Sequence, residues 1–280
     1  MELNTLLQYK PYSTARPEKR ALYAGLLTEL TQFHRERCPE YGRLLDALGC
    51  PAHMDCTVES TPMLPVSLFK ELELRSIPEG EVFKTITSSG TTGQRVSRIF
   101  LDGATSACQQ QALCQIMSDF LGERRLPFLV LDSRQVLRNR AMFSARGAGI
   151  LGFSIFGTRP CYALDEHMEL DLDGVRAFLE EHQGETIFLF GFTFIIWKHV
   201  VRALEERGER LDIPNGILVH GGGWKKLAGE AVSPGEFKAR VAAATGVERV
   251  SNYYGMAEQT GCIYMECPQG HLHASLWSDI

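Results

Sequence analysis

The apolar positions of this chain switch repeatedly between helical and strand spacing. Leu22, Leu26, Leu30 and Phe33 recur at helical intervals, with Pro17 near the start and Pro39 just past the end, and predict a helix over Pro17–Cys38. A shorter helix is expected over Glu40–Leu48, and the two together form an N-terminal helical cap, residues 1–60, ahead of a larger unit, residues 61–280. A loop rich in Pro, Thr and Ser (51–65) separates them. Beyond it, short apolar runs alternate with amphipathic stretches. Helices are predicted over Thr105–Phe120, Arg140–Gly152, Val175–Gln183, Phe192–Arg207 and Pro234–Thr245, and strands over Pro127–Leu131, Thr186–Phe190, Ile217–Val219 and Val250–Tyr254. In Phe192–Arg207 the apolar half is Phe194, Ile195, Trp197, Val200, Val201 and Leu204. Strand–helix alternation of this kind argues an α/β fold with much parallel pairing. Three of the strands run into glycine, at Gly191, Gly221 and Gly255, and the carboxyl ends of strands are where ligands sit in open α/β sheets.

Composition narrows the class. Of 280 residues, 44% are hydrophobic and 22% charged, which is enough apolar material for a substantial core. The net charge of −5 excludes a broadly basic nucleic-acid surface. No apolar run reaches the roughly 18–20 residues of a membrane span. Met1–Lys10 lacks the basic-then-apolar order of a signal peptide, so a cytoplasmic location is expected, with the eight scattered cysteines as free thiols.

Candidate chemistry concentrates in two stretches. Between β-forming residues 82–86 and 96–101 lies Thr87-Ser-Ser-Gly-Thr-Thr-Gly93, with five hydroxyls and two glycines in seven positions. A loop of this kind turns backbone N–H groups and hydroxyls toward an anion, and Arg95 and Arg98 add positive charge, so phosphate oxygens are the natural guest. No Gly-Lys-Ser/Thr follows, so it is not a Walker loop; the same composition also suits an ordinary Ser/Thr-rich turn. The second stretch is Ser251-Asn-Tyr-Tyr-Gly-Met-Ala-Glu-Gln-Thr-Gly261. Tyr254 before Gly255 can lie against a planar base, and Glu258 suits a nucleotide-borne Mg2+; the plainer reading is a core aromatic and a surface charge.

Together the two stretches resemble the phosphate loop and the adenine/Mg2+ segment of the adenylate-forming enzymes. Pro65-Val-Ser-Leu-Phe-Lys70, Gly191-Phe-Thr-Phe194, His220-Gly-Gly-Gly-Trp-Lys225 and Gly270-His-Leu-His with Trp277-Ser-Asp279 look most like the acyl-protein synthetases of the LuxE type, from about residue 60 to the end. The resemblance implies the large N-terminal domain of such an enzyme, with mixed and parallel sheets flanked by helices. It implies that Ser88, Ser89, Gly90, Thr91, Thr92 and Gly93 hold ATP phosphates, and that Gly222 and Gly223 line the adenine pocket. Asn252 would face the adenine edge, Tyr254 its ring, Glu258 would hold Mg2+, and Asp279 would bind the ribose hydroxyls. Thr91, Arg95 and Glu258 would serve the chemistry. Two positions depart from the pattern. Gln94-Arg95-Val96 stands where a lysine is usual, so the charge is kept in a different shape. Ala257 replaces the threonine that often touches the α-phosphate.

The implied reaction is ATP-dependent conversion of a carboxylic acid to acyl-AMP, followed by acyl transfer to a thiol. Phe192, Phe194 and His220 are the candidate substrate contacts, and the aromatic residues suit a fatty or other apolar acid. An acyl reductase or carrier protein is the expected partner. A phenylacetate-type acyl-CoA ligase and a non-catalytic nucleotide- or partner-binding module are the alternatives. The family's small C-terminal domain would follow Asp279, so the chain is expected to correspond to the large domain alone. Cys262, Cys267, His271 and His273 carry soft ligands at tight spacing for a structural Zn2+, although the spacing fits no standard finger; free thiols and solvent-facing histidines are the other reading.

Overall fold

A computed structural model describes residues 3–88, 95–137 and 145–280. Ser89, Gly90, Thr91, Thr92 and Gly93 lie outside the described residues. The chain divides into two compact units, each assembled from separate stretches: Met1–Asp119 with Gly255–Ile263 and Ala274–Ile280, and Phe120–Tyr254 with Tyr264–His273.

The second unit is an α/β sandwich. Among the described residues, seven strands form one sheet in the order β4-β3-β5-β6-β7-β8-β9. Their bounds are β3 Leu126–Ser133, β4 Gly157–Leu164, β5 Ile187–Phe192, β6 Gly216–Gly221, β7 Arg249–Tyr254, β8 Tyr264–Glu266 and β9 Leu272–His273. The pairings from β4 across to β7 are parallel, and β8 and β9 close the sheet antiparallel. Every residue of β5 and β6 is buried, as expected for strands covered by helices on both faces. Helices Ala145–Phe153, Leu172–Glu181 and Pro234–Thr245, and a helical segment over 193–207, provide side chains of the same core. That segment matches the expected helix in extent, and Ile195, Trp197, Val200, Val201 and Leu204 are buried as expected while Phe194 is half-buried, but Ile196–Val201 is wound as a π-helix. Chain order reverses at β3, which has β4 on one side and β5 on the other. At the carboxyl end of β3, fully buried Asp132 accepts from Arg146 Nε at 2.9 Å and from Arg146 Nη2. Burying a carboxylate without such a partner would be costly.

The first unit holds helices Arg16–Arg37 and Pro39–Ala47, all but the last two residues of helix Gly103–Leu121, and a hairpin, β1 Lys84–Thr87 and β2 Arg98–Leu101, paired from Lys84↔Leu101 to Thr87↔Arg98. This hairpin is the strand–loop–strand expected from sequence. Ser88 N–H donates to Ser97 O at 3.2 Å, and Ser97 N–H to Ser88 Oγ at 2.9 Å, so the pairing extends one step toward the loop. Among the described residues, no helix is long and apolar enough to cross a membrane.

Candidate active site

In the second unit, a cavity of about 340 Å³ opens where β5, β6 and β7 end. Thr193, His220, Gly222, Lys238, Asn252 and Glu266 supply its polar wall, and Trp224, Phe237 and Leu272 are among its apolar residues. Parallel register explains the convergence. His220 on β6 lies beside Asn252 on β7, and the period of two sends Tyr253 to the opposite face. There the Tyr253 ring packs against Phe153 at 4.9 Å and occupies the space that a Cβ at Gly221 would need, 2.4 Å away.

A hydrogen-bond chain fixes the state of His220. Thr193 Oγ1 lies 2.9 Å from Gly222 O and 3.0 Å from His220 Nδ1. The hydroxyl has one proton and gives it to a carbonyl, which can only accept. His220 Nδ1 is therefore the donor to Thr193 Oγ1, and this assigns Nε2 as an acceptor. Burial drives the His220 pKa down to about 3, with the Lys238 charge adding to the effect, so the ring is neutral at physiological pH.

Glu266 is buried and doubly engaged. Lys238 Nζ lies 2.9 Å from its Oε1, and Asn252 N–H donates to its Oε2 at 2.8 Å. The carboxylate thus holds β7 in place beside the cavity. Asn252 Oδ1, by contrast, is buried with no hydrogen-bond partner among the described residues. Gly222 has φ +74°, and a Cβ there would meet the Phe192 ring at 3.1 Å; Gly223 borders open space. Tyr254 stacks on Tyr264 at 6.1 Å and 8° while remaining 47% exposed. Phe192 is buried edge-on to Phe190, and Phe194 is half-buried.

The other predicted residues belong to the first unit. Glu258 is half-buried in a turn, with no hydrogen-bond or ion-pair partner among the described residues. Arg95 is exposed. Asp279 Oδ1 accepts from Ile280 N–H at 2.8 Å, and its Oδ2 is buried without a partner among the described residues.

The zinc expectation is corrected. Among the described residues, no group of three or more His, Cys, Asp and Glu could hold a metal ion. Cys262 Sγ instead donates to Trp277 O at 3.4 Å, and burial pushes its pKa up to about 11, which opposes the thiolate a zinc ligand needs. Cys267 N–H donates to His271 O within the β8–β9 turn, and His271 and His273 are exposed. All eight cysteines are free.

Sequence reasoning passed over Thr193, Lys238 and Glu266 as site residues. Thr193 stood inside a quoted motif, so its signal was available. Lys238 and Glu266 are polar residues in an amphipathic helix and a short strand, and only the fold brings them to one cavity.

The family profile described as "Acyl-protein synthetase, LuxE" matches residues 2–280. No curated protein sequence matches the chain. Among solved structures, a 2-hydroxyisobutyryl-CoA ligase in complex with 2-HIB-AMP and CoA aligns with a TM-score of 0.63 at 18% identity, over 98% of this chain and 57% of that one. A 2-hydroxyisobutyryl-CoA ligase in the postadenylation state, with R3-HIB-AMP, aligns with a TM-score of 0.58 at 16% identity, over 92% and 54%. The chain therefore spans just over half the length of these two structures. At these identities the likeness establishes the fold, that of adenylate-forming enzyme domains.

Proposed function

The chain belongs to the LuxE acyl-protein synthetase family, and from that premise we propose that it binds ATP and activates a carboxylic acid as acyl-AMP for transfer to a thiol. The observation that carries this reading is the cavity at the carboxyl ends of β5–β7, where Asn252 Oδ1, buried and without a partner among the described residues, lies in the wall with neutral His220. An acceptor desolvated in this way is costly until a donor reaches it, and the exocyclic amine of adenine is such a donor. Gly222 and Gly223 leave room for a planar base, and the exposed face of Tyr254 suits its ring.

Family resemblance supplies the remaining roles. Ser88, Ser89, Gly90, Thr91, Thr92 and Gly93 would hold the phosphates, with Arg95 adding charge, and Asp279 would take the ribose hydroxyls. Glu258 fits a Mg2+ ligand because it is a half-buried carboxylate with no partner among the described residues; when bound, the ion would neutralise phosphate charge. In the reaction, a carboxylate oxygen of the acid bonds to the α-phosphorus, and the bond from that phosphorus to pyrophosphate breaks, with pyrophosphate leaving on the electron pair. A thiolate then attacks the acyl carbon and AMP departs. Neither step requires a nucleophilic side chain of this chain; positioning and charge stabilisation carry the rate. We assign the acid to the fatty or otherwise apolar class, with Phe192, Phe194 and His220 as candidate substrate residues. The acceptor thiol belongs to a protein; free CoA is the competing acceptor.

Calorimetric titration with ATP–Mg2+ tests the nucleotide site. Saturable binding is expected, weakened about tenfold in Asn252→Ala, the loss of one well-formed hydrogen bond. Failure of the folded wild-type chain to bind ATP overturns the reading. Pyrophosphate release with saturated acids of graded length then tests the apolar assignment, and preference for a short polar acid would reject it. Thioester analysis with CoA and with protein fractions separates the two acceptors.

A further inference from the structure

Helix Arg16–Arg37 buries a charge along its packed stripe. Lys19, Tyr23 and Leu26 are all buried, and Lys19 is only 8% exposed. A buried ammonium is retained only where its donors are matched. Lys19 Nζ donates to Ser275 O at 3.0 Å and to Ser278 O at 2.5 Å, and lies 3.9 Å from Asp279 Oδ1. One turn further, Tyr23 OH donates to Leu276 O at 2.7 Å. The same segment is fastened by Leu276 N–H to Pro11 O at 2.7 Å and by Trp277 Nε1–H to Leu6 O at 3.0 Å. Every residue in this arrangement belongs to the first unit.

The arrangement fixes the backbone leading into Asp279 and sets a positive charge beside its carboxylate, yet leaves Oδ2 buried and without a hydrogen-bond donor among the described residues. A carboxylate oxygen in that condition matches a ligand that brings hydroxyl donors. We propose that Lys19 is a positioning residue for the nucleotide: it pins 275–279 so that Asp279 presents Oδ2 to the vicinal hydroxyls of a ribose. This rests on the proposed nucleotide site and extends it to the N-terminal helix, to which no role in binding had been assigned.

The test is the ratio of dissociation constants for 2′,3′-dideoxy-ATP and ATP, measured on the full chain with Mg2+. Hydrogen bonds from the hydroxyls to a charged acceptor make this ratio about ten or more in the wild type. Lys19→Met should lower it at least threefold with little change in dideoxy-ATP affinity, and Lys19→Arg should recover part of it. A purely structural role would weaken both nucleotides alike and leave the ratio intact, so an unchanged ratio in a cooperatively melting Lys19→Met overturns the proposal. Should that variant fail to fold, Lys19→Gln, which keeps a donor for the carbonyls without the charge, is judged by the same ratio. Failure of the underlying reading looks different, because the wild type itself would then bind neither nucleotide or fail to discriminate between them.

Discussion

At the scale of single residues, the candidate site is built from polar groups whose states are set by burial. His220 illustrates this. Its folded pKa of about 3 lies below the ordinary value of 6.5 because the buried ring resists charging. Between about pH 6.5 and about pH 3 the unfolded chain therefore binds a proton at this position that the folded chain does not. The stability contributed by neutral His220 is complete above that window and is lost as pH falls through it. Replacing His220 by Gln should flatten the acid limb of a stability–pH curve by up to about 1.4 kcal/mol per pH unit, as measured by denaturant titration at successive pH values. Burial also lowers His34 and His199, so the difference between wild type and variant is the quantity to read. An equal slope in both would mean that His220 titrates in the folded state.

At the scale of elements, glycine and aromatic residues set how closely neighbouring strands and helices approach. Gly221 ends β6 in register with Tyr253, and that ring takes the volume of its missing side chain. Gly221→Ala drives a methyl into a ring packed among Phe153 and Phe190, an overpacking expected to cost about 1–3 kcal/mol. Thermal melting checks this, and a variant as stable as wild type would show that the ring can move aside. Helix Pro234–Thr245 shows local and tertiary signals in agreement. Ser233 Oγ accepts from Glu236 N–H at 3.1 Å, Pro234 opens the helix and Gly246 at φ +74° closes it. Its ends were therefore legible, whereas the delivery of Lys238 to Glu266 was not. The strand β4 was missed for a physical reason. Its sequence, Gly157-Thr-Arg-Pro-Cys-Tyr-Ala-Leu164, has a proline and exposed positions because it lies at the edge of the sheet, where alternation and apolar runs fade.

At the scale of the whole molecule, chain connectivity and compact units do not coincide. The first unit draws on 1–119, 255–263 and 274–280, so residues far apart in sequence complete one core. Leu276 is buried, its segment is bound to Pro11, Lys19 and Tyr23, and Gly261 approaches Gln109 so closely that a Cβ would lie 2.7 Å from it. A fragment ending at residue 119 lacks these parts. It should show no cooperative melting transition by circular dichroism, whereas the full chain should melt cooperatively. A fragment that melts like the full chain would show that the later segments are dispensable to that unit.

The sequence by itself determined the alternating α/β plan, the central strands and most helices, because periodicity reports which face of an element is buried and caps report where it ends. Its paired motifs also pointed to the family. They did not determine which polar side chains would meet. Lys19 followed an apolar stripe that reading from Leu22 to Phe33 had placed on a neighbouring face, and Phe33 proves exposed while Lys19 is buried. The Cys/His spacing suggested a metal that the described side chains do not form. Only tertiary structure decided these matters. Long-range packing sets which segments become neighbours, and a buried lysine or glutamate has no local pattern to announce it, since its partner lies up to 260 residues away in Lys19–Asp279 and is chosen by the fold.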